Sequence, residues 1–237
     1  MIEAVTIVLP VHDEEVLLPQ CLNAISAARE CAHVPVRLVV VLDSCRDASA
    51  RIAERAVLDG DQLIRVEHRA VGAARARGAR AALEALRPLS PERVWLTTTD
   101  ADSRVPIDWL PTQLELARRG AAAVAGTVDI DDWKGYPPER ARSYGRFYAK
   151  DHAGAHPHVH GANLGVRGDA YLAVGGFAPL RTGEDVALWE ALGERALPRV
   201  STRAIPVMTS SRRRGRAPAG FAAFLEGWAA GSPQDAV

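Results

Sequence analysis

Two carboxylates spaced two residues apart, Asp100 and Asp102, follow the run Arg93-Val94-Trp95-Leu96-Thr97-Thr98-Thr99. The apolar, β-favouring residues of 93–96 predict a buried strand that delivers both acids at its end. Two Asp side chains at such a mouth repel each other and lose hydration. A divalent cation between them, or water around a turn, relieves both costs. A hard cation takes one or two protein carboxylates and completes its shell with substrate phosphate oxygens, so Asp-x-Asp suits a metal–diphosphate anchor. The competing reading is structural: Asp100 or Asp102 caps a helix from about Pro106, or sits in a polar turn.

Other candidate groups have the same two sides. Asp47 reads as the cap of a following helix. Glu184 and Asp185 either do acid–base work or complement a helix N-terminus. His152, His156, His158 and His160 fall in one loop, with His158 and His160 spaced to share one face of an extended segment. Loop histidines are more often solvated than metal-bound. The basic run Arg212-Arg213-Arg214-Gly215-Arg216 is a solvated tail or an anion site. As a lid it would bring Arg212 or Arg213 to a diphosphate. Trp109, Trp189 and Trp228 read as packing residues, and Trp133, in an irregular loop, as the better platform for an acceptor.

The elements that must position these groups alternate. Ala4 to Leu9 is a strand ended by Pro10, and Val16 to Ala28 carries apolar residues three and four apart, as a helix does. Val36 to Leu42 is a second buried strand, with a helix through Ile52, Ala53 and Ala56 after it. Gln62 to Val66 is a third strand, and the Ala- and Arg-rich stretch from Gly72 to Leu86 is a helix stopped by Pro88. Further on, the pattern predicts a helix over Ile107 to Arg119 and strands over Ala121–Val128 and Gly161–Arg167. Helices are expected over Arg140–Lys150, Asp169–Val174, Glu184–Leu192 and Gly220–Ala230, with one or two edge strands over Val200–Val207. Alternation of this kind predicts an α/β fold, a doubly wound, mostly parallel mixed sheet flanked by helices. Ligands of such sheets gather at the carboxyl ends of the strands. Asp13, Asp43, Asp100 and Asp102 each follow a strand's carboxyl end and are expected on one rim.

The 237 residues suit one domain, and 29 basic against 29 acidic residues give no charge argument for nucleic acid. Three cysteines, Cys21, Cys31 and Cys45, with no C-x-x-C spacing predict neither a disulfide framework nor a zinc site, and fit a reducing cytoplasm. No stretch approaches the roughly 20 apolar residues of a membrane span. An amphipathic C-terminal piece leaves room for peripheral membrane contact.

Six segments in order resemble the glycosyltransferase family 2 enzymes of the GT-A, Rossmann-like nucleotide-diphospho-sugar transferase fold. They are Pro10-Val11-His12-Asp13-Glu14-Glu15, Val41-Leu42-Asp43-Ser44-Cys45-Arg46-Asp47, Gly72-Ala73-Ala74-Arg75, Asp100-Ala101-Asp102, Gly161-Ala162-Asn163 and Gly183-Glu184-Asp185. The resemblance runs over residues 1 to about 210. It implies that Pro10, Asp13 or Glu14, and Asp43 line the base and ribose pocket, and that Arg75 reaches the diphosphate. It implies that Asp100 contacts ribose or metal and that Asp102 holds Mg²⁺ or Mn²⁺. Asp185 is the implied general base toward an acceptor hydroxyl, with Glu184 orienting it; Gly161 and Asn163 shape the donor-sugar pocket. Attack opposite the leaving diphosphate would invert the anomeric centre.

The implied partners are a UDP- or GDP-type sugar donor and a small-molecule or lipid-linked acceptor. The chain then divides into a nucleotide-binding half (1–128), an acceptor and catalytic half (129–210) and a basic tail with a helix (211–237). His12 and Asp13 depart from the family's more usual aromatic and Asn, and Cys45 stands where Gly is frequent. The Gln-x-x-Arg-Trp signature of processive synthases is absent. A nucleotidylyltransferase would need a Gly-rich, basic N-terminal loop, which residues 10–15 do not supply. A non-catalytic nucleotide-sugar-binding protein of the same fold is the alternative from a different class.

Overall fold

The computed structural model describes residues 1–133, 136–149, 156–212, Gly215 and Leu225, with the backbone alone at 143 and 145–149. In chain order the elements are β1 (Ala4–Val11), α1 (Leu18–Glu30), β2 (Val36–Asp43), α2 (Ser49–Ala56), β3 (Gln62–Val66), α3 (Val71–Ala85) and β4 (Val94–Thr98). Then follow α4 (Trp109–Arg118), β5 (Ala123–Ile130), α5 (Pro138–Ala149), β6 (Leu164–Arg167), α6 (Gly168–Ala173), α7 (Glu184–Glu194) and β7 (Arg199–Thr209). One mixed sheet runs in the order β3-β2-β1-β4-β6-β5-β7. β1 to β4 are mutually parallel, β6 is antiparallel to both β4 and β5, and β5 pairs parallel with β7.

Strands covered on both faces need apolar side chains on both, and β2 shows it. Leu38, Val40 and Leu42 pack on the face that carries α1, α2 and α4, together with Ile7, Leu9, Trp95 and Trp109. Val39 and Val41 pack on the face of α3, α6 and α7, with Leu96, Leu164, Leu188 and Leu192. α3 buries Ala74, Gly78, Ala79, Ala81 and Ala82, side chains small enough for a helix to lie close on the sheet. A Cβ on Gly78 would stand 2.5 Å from a Val8 methyl.

β1 does not stop at Pro10; it continues in register to Val11↔Leu42. The Val5 N–H donates to Pro35, so odd residues of β1 face β2 and even ones face β4. Pairing with β4 ends at Val8↔Thr98. Proline at position 10 therefore lacks an N–H only where no strand would have accepted it. Likewise Gly161–Asn163 is a 3₁₀ turn rather than the start of β6, and Pro206 lies within a single β7, where the β5 pairing slips between Gly126 and Val128. The expected helix over Gly220–Ala230 lies outside the described residues apart from Leu225, which is helical and packs with Ile130, Tyr136 and Tyr144.

Candidate active site

The loops at the carboxyl ends of β1, β2 and β3 each contain a non-glycine residue in the left-handed region: Asp13 (φ 49°), Ser44 (φ 56°) and Arg69 (φ 50°). Such backbone is costly and persists only where its surroundings hold it. Here side-chain carboxylates do so, each loop clasping the next. Asp13 Oδ1 accepts from the Arg46 and Asp47 amides at 2.7 and 3.3 Å. Asp43 Oδ1 accepts from His68 and Arg69 at 2.8 and 2.9 Å and from Ser44 Oγ at 3.0 Å, while Oδ2 accepts from Ala70 at 3.2 Å. Asp47 accepts from the Glu15 and Ser49 amides, both at 2.9 Å.

Arg75, from the first turns of α3, passes under the rim and is 3 % exposed. Its Nε donates to Thr98 Oγ1 at 3.1 Å, Nη1 to Glu184 Oε1 and Nη2 to Asp100 Oδ1. Gly161 lies over the guanidinium so closely that a Cβ there would stand 2.3 Å from Nη1. The Gly161 N–H donates to Asp185 Oδ2 at 2.6 Å, and Asp185 Oδ1 accepts from Val186 at 2.9 Å. Gly183, in the left-handed region at φ 83°, turns the chain so that Glu184 and Asp185 open α7. Acids there are favoured by the helix dipole.

A second arginine joins the other acids. Arg212, three residues past β7, donates from Nη1 to Glu14 Oε1 at 2.6 Å and from Nη2 to Asp102 Oδ2 at 2.7 Å. The fold brings these partners together by stitching the Asp102 loop to the end of β7. Ser103 Oγ donates to Thr209 Oγ1 at 2.9 Å, and Arg104 and Met208 exchange backbone bonds at 2.7 and 3.0 Å. Neither Asp100 nor Asp102 caps a helix; α4 starts at Trp109 behind Asp108, which makes no side-chain cap.

Five carboxylates (Glu14, Asp100, Asp102, Glu184, Asp185) thus surround two guanidiniums, leaving negative charge in excess. Asp100 is pushed above the usual carboxylate range by desolvation, against the pull of Arg75 and with repulsion from Asp102 and Asp185. Asp102 is also raised, by desolvation first, with Arg212 opposing and Glu14 adding repulsion. A divalent cation would relieve both. Among the described residues no group of three or more His, Cys, Asp or Glu is gathered to hold one alone. Asp100 and Asp102 nonetheless fit the hard-oxygen, low-count donor set of a cation that takes its remaining ligands from water and phosphate.

Residues 6–174 match the description Glycosyl transferase family 2. The chain belongs to that family. Among solved structures it is similar to the mannosyltransferase PcManGT from Pyrobaculum calidifontis in complex with GDP-Man and Mn²⁺. There the TM-score is 0.64 at 20 % identity, over 91 % of this chain and 59 % of that one. It is also similar to S. aureus TarS 1-349, with a TM-score of 0.62 at 14 % identity over 88 % of this chain and 60 % of that one. The same TarS fragment in complex with UDP gives 0.58 at 12 % identity. The chain therefore spans about three fifths of the length of these structures, and the likeness establishes the GT-A fold. No curated protein matches the sequence.

The geometry gives each residue of the family motifs its local surroundings. Asn163 is fully buried and not on the rim. Its Nδ2 donates to Thr127 and Ile205 carbonyls at 2.9 and 2.7 Å, and its Oδ1 accepts from Trp109 Nε1 at 2.9 Å. The amide ties β5, β7 and α4 behind the site. Asp43 accepts from the 68–70 backbone through both oxygens, which shapes the nucleotide loop. Glu184 pairs with Arg75, whose own nitrogens are all engaged below the rim. Pro10 is buried in β1. Trp133, partly buried, packs edge-on against Tyr136 and Tyr144 with ring centroids 5.8 and 5.2 Å apart.

His156, His158 and His160 stack in a ladder with centroids 6.1 and 6.2 Å apart. Desolvation lowers His160 to about 4, despite nearby Asp185, so its ring is neutral at ordinary pH. His152, Arg213, Arg214, Arg216 and Trp228 lie outside the described residues. Thr98 and Ser103 were not singled out by their sequence neighbourhood. The Thr97-Thr98-Thr99 run hints that polar residues hide at a strand end, but nothing in it says which hydroxyl holds an arginine. No helix among the described residues is long and apolar enough to cross a membrane.

Proposed function

We infer that this chain is a metal-dependent, inverting glycosyltransferase that moves a sugar from a nucleoside-diphospho-sugar to a hydroxyl acceptor. The observation that carries the reading is the charge imbalance at the rim: five carboxylates, Asp100 and Asp102 among them, gather around two guanidiniums in a family 2 chain. Mg²⁺ or Mn²⁺, held by Asp102 and Asp100, would supply a Lewis acid to the leaving diphosphate. PcManGT was crystallised with GDP-Man and Mn²⁺, and TarS with UDP, which makes a GDP- or UDP-linked hexose the natural class of donor to test.

The chain's own residues divide the work. Asp13, Asp43 and Asp47 hold the backbone of three loops in the shape that would receive base and ribose, so preorganisation is met during folding and not on binding. Arg75 fixes Asp100 from below. Asp185 is the general base: its Oδ2, now on the Gly161 N–H, takes the proton from the acceptor hydroxyl as oxygen attacks the anomeric carbon. Gly161 gives the sugar a close backbone wall. The acceptor is a small molecule or a lipid-linked one, and cytoplasmic action fits the free cysteines.

A panel of nucleotide sugars screened for thermal stabilisation in Mn²⁺ identifies the donor, since a ligand of the folded state alone raises apparent stability. Slow hydrolysis of that donor should then be lost in Asp185→Asn while binding is kept. Undiminished turnover in that variant would contradict the assignment. Binding with no turnover by the unaltered protein would favour a non-catalytic binding role.

A further inference from the structure

Arg212 is an unusual neighbour for a cation site. One guanidinium bridges two carboxylates, Glu14 and Asp102, at 2.6 and 2.7 Å, with side chains 8 and 21 % exposed. It supplies one positive charge to two negative groups that repel each other. Its two Nη groups are engaged, but its Nε lies buried with no hydrogen-bond partner. A buried donor left unmatched is costly, so the guanidinium is only partly satisfied where it sits. The residue follows β7 after two residues without regular structure, yet the stitches Ser103–Thr209 and Arg104–Met208 hold its base beside Asp102. Arg212 can therefore rotate without disturbing the sheet, and it cannot leave the rim.

We propose that Arg212 is the resident counter-ion of the donor site: it holds Asp102 and Glu14 until a divalent cation arrives with a nucleoside diphosphate, and then turns its guanidinium to the diphosphate. This rests on the metal–diphosphate reading above. A divalent cation at Asp102 brings twice the charge of the guanidinium and competes for the same oxygen. The displaced fork has five N–H donors, Nε among them, and phosphate oxygens match it. The consequence is a coupling of opposite signs. Arg212 opposes metal binding when the metal comes alone, and favours binding when metal and diphosphate come together.

The test uses the full chain, with Mn²⁺ read by paramagnetic resonance and UDP or GDP by calorimetry. Arg212→Ala should bind Mn²⁺ alone about tenfold more tightly than the unaltered protein, the worth of one lost charged pair. With Mn²⁺ present, the same variant should bind the diphosphate about tenfold more weakly. Arg212→Lys should fall between on both measures, and Arg212→Met, which keeps the aliphatic packing, replaces the alanine variant if that does not fold. Unchanged or weaker binding of Mn²⁺ alone by Arg212→Ala overturns the inference, as does unchanged diphosphate affinity. If Asp102→Ala loses Mn²⁺ while Arg212→Ala behaves as the unaltered protein, this inference alone falls. If the unaltered protein and Arg212→Ala take up no Mn²⁺ with or without nucleotide, the metal reading falls too.

Discussion

Gly161 lies against Arg75 so tightly that a single methyl group at position 161 would stand 2.3 Å from Nη1. The guanidinium beneath is fixed by Thr98, Asp100 and Glu184, and Gly161 itself is fixed by Asp185. One glycine thus links the acid of the Asp-x-Asp loop to the acids that open α7. In Gly161→Ala it is the arginine end, not backbone, that must give way. The expected stability loss is about 1 kcal/mol, at the low end for overpacking. The functional loss should be larger, because Arg75 would release Asp100. Denaturant titration beside donor-binding calorimetry separates the two; a variant that loses stability but binds donor normally would contradict the linkage.

Asp43→Ala removes the acceptor for three backbone amides, those of His68, Arg69 and Ala70. The site is 5 % exposed, so water replaces the carboxylate poorly. We expect a loss of about 2–4 kcal/mol, from buried donors left unmatched and the left-handed backbone at Arg69 released. Hydrogen exchange should show residues 68–70 losing protection first. Protection unchanged in that loop would remove Asp43 from its loop-shaping role.

His160 predicts an acid-side instability. Desolvation depresses its folded value to about 4, while an unfolded imidazole titrates near 6.5. Between these values the unfolded chain binds a proton that the folded chain refuses. Stability from the neutral ring is fully present above about pH 6.5 and is lost as pH falls toward about 4. The loss amounts to about 2–3 kcal/mol over that window. His160→Asn, which carries no titrating group, should show a shallower decline. Chemical denaturation at pH 7.5, 6 and 5 checks this, and parallel slopes for both proteins would refute it.

Much of this is legible in the sequence. The strand–helix alternation set the doubly wound fold, and the position of Asp13, Asp43, Asp100 and Asp102 just past strand ends set their common rim. What could not be read was how each acid is employed. Asp43 and Asp102 look alike in sequence, but one meets backbone amides from 25–27 residues on and the other meets Arg212, 110 residues away. Such pairings depend on which loops become neighbours, and local spacing carries no record of that. The partners of Asn163 were hidden for a related reason. A polar residue in a family motif suggests a ligand, whereas here three long-range bonds satisfy it inside the core. The place of β6 between β4 and β5 was equally hidden, because the order of strands is set by crossovers and not by any segment's own pattern.

The most direct measurement is calorimetric titration of GDP and UDP into the full chain with and without Mn²⁺, repeated on Asp102→Ala. Manganese should strengthen binding of one of these nucleotides about tenfold or more in the unaltered protein and have no effect on the variant. Equal, manganese-independent affinity in both proteins would contradict a metal–diphosphate anchor at Asp102.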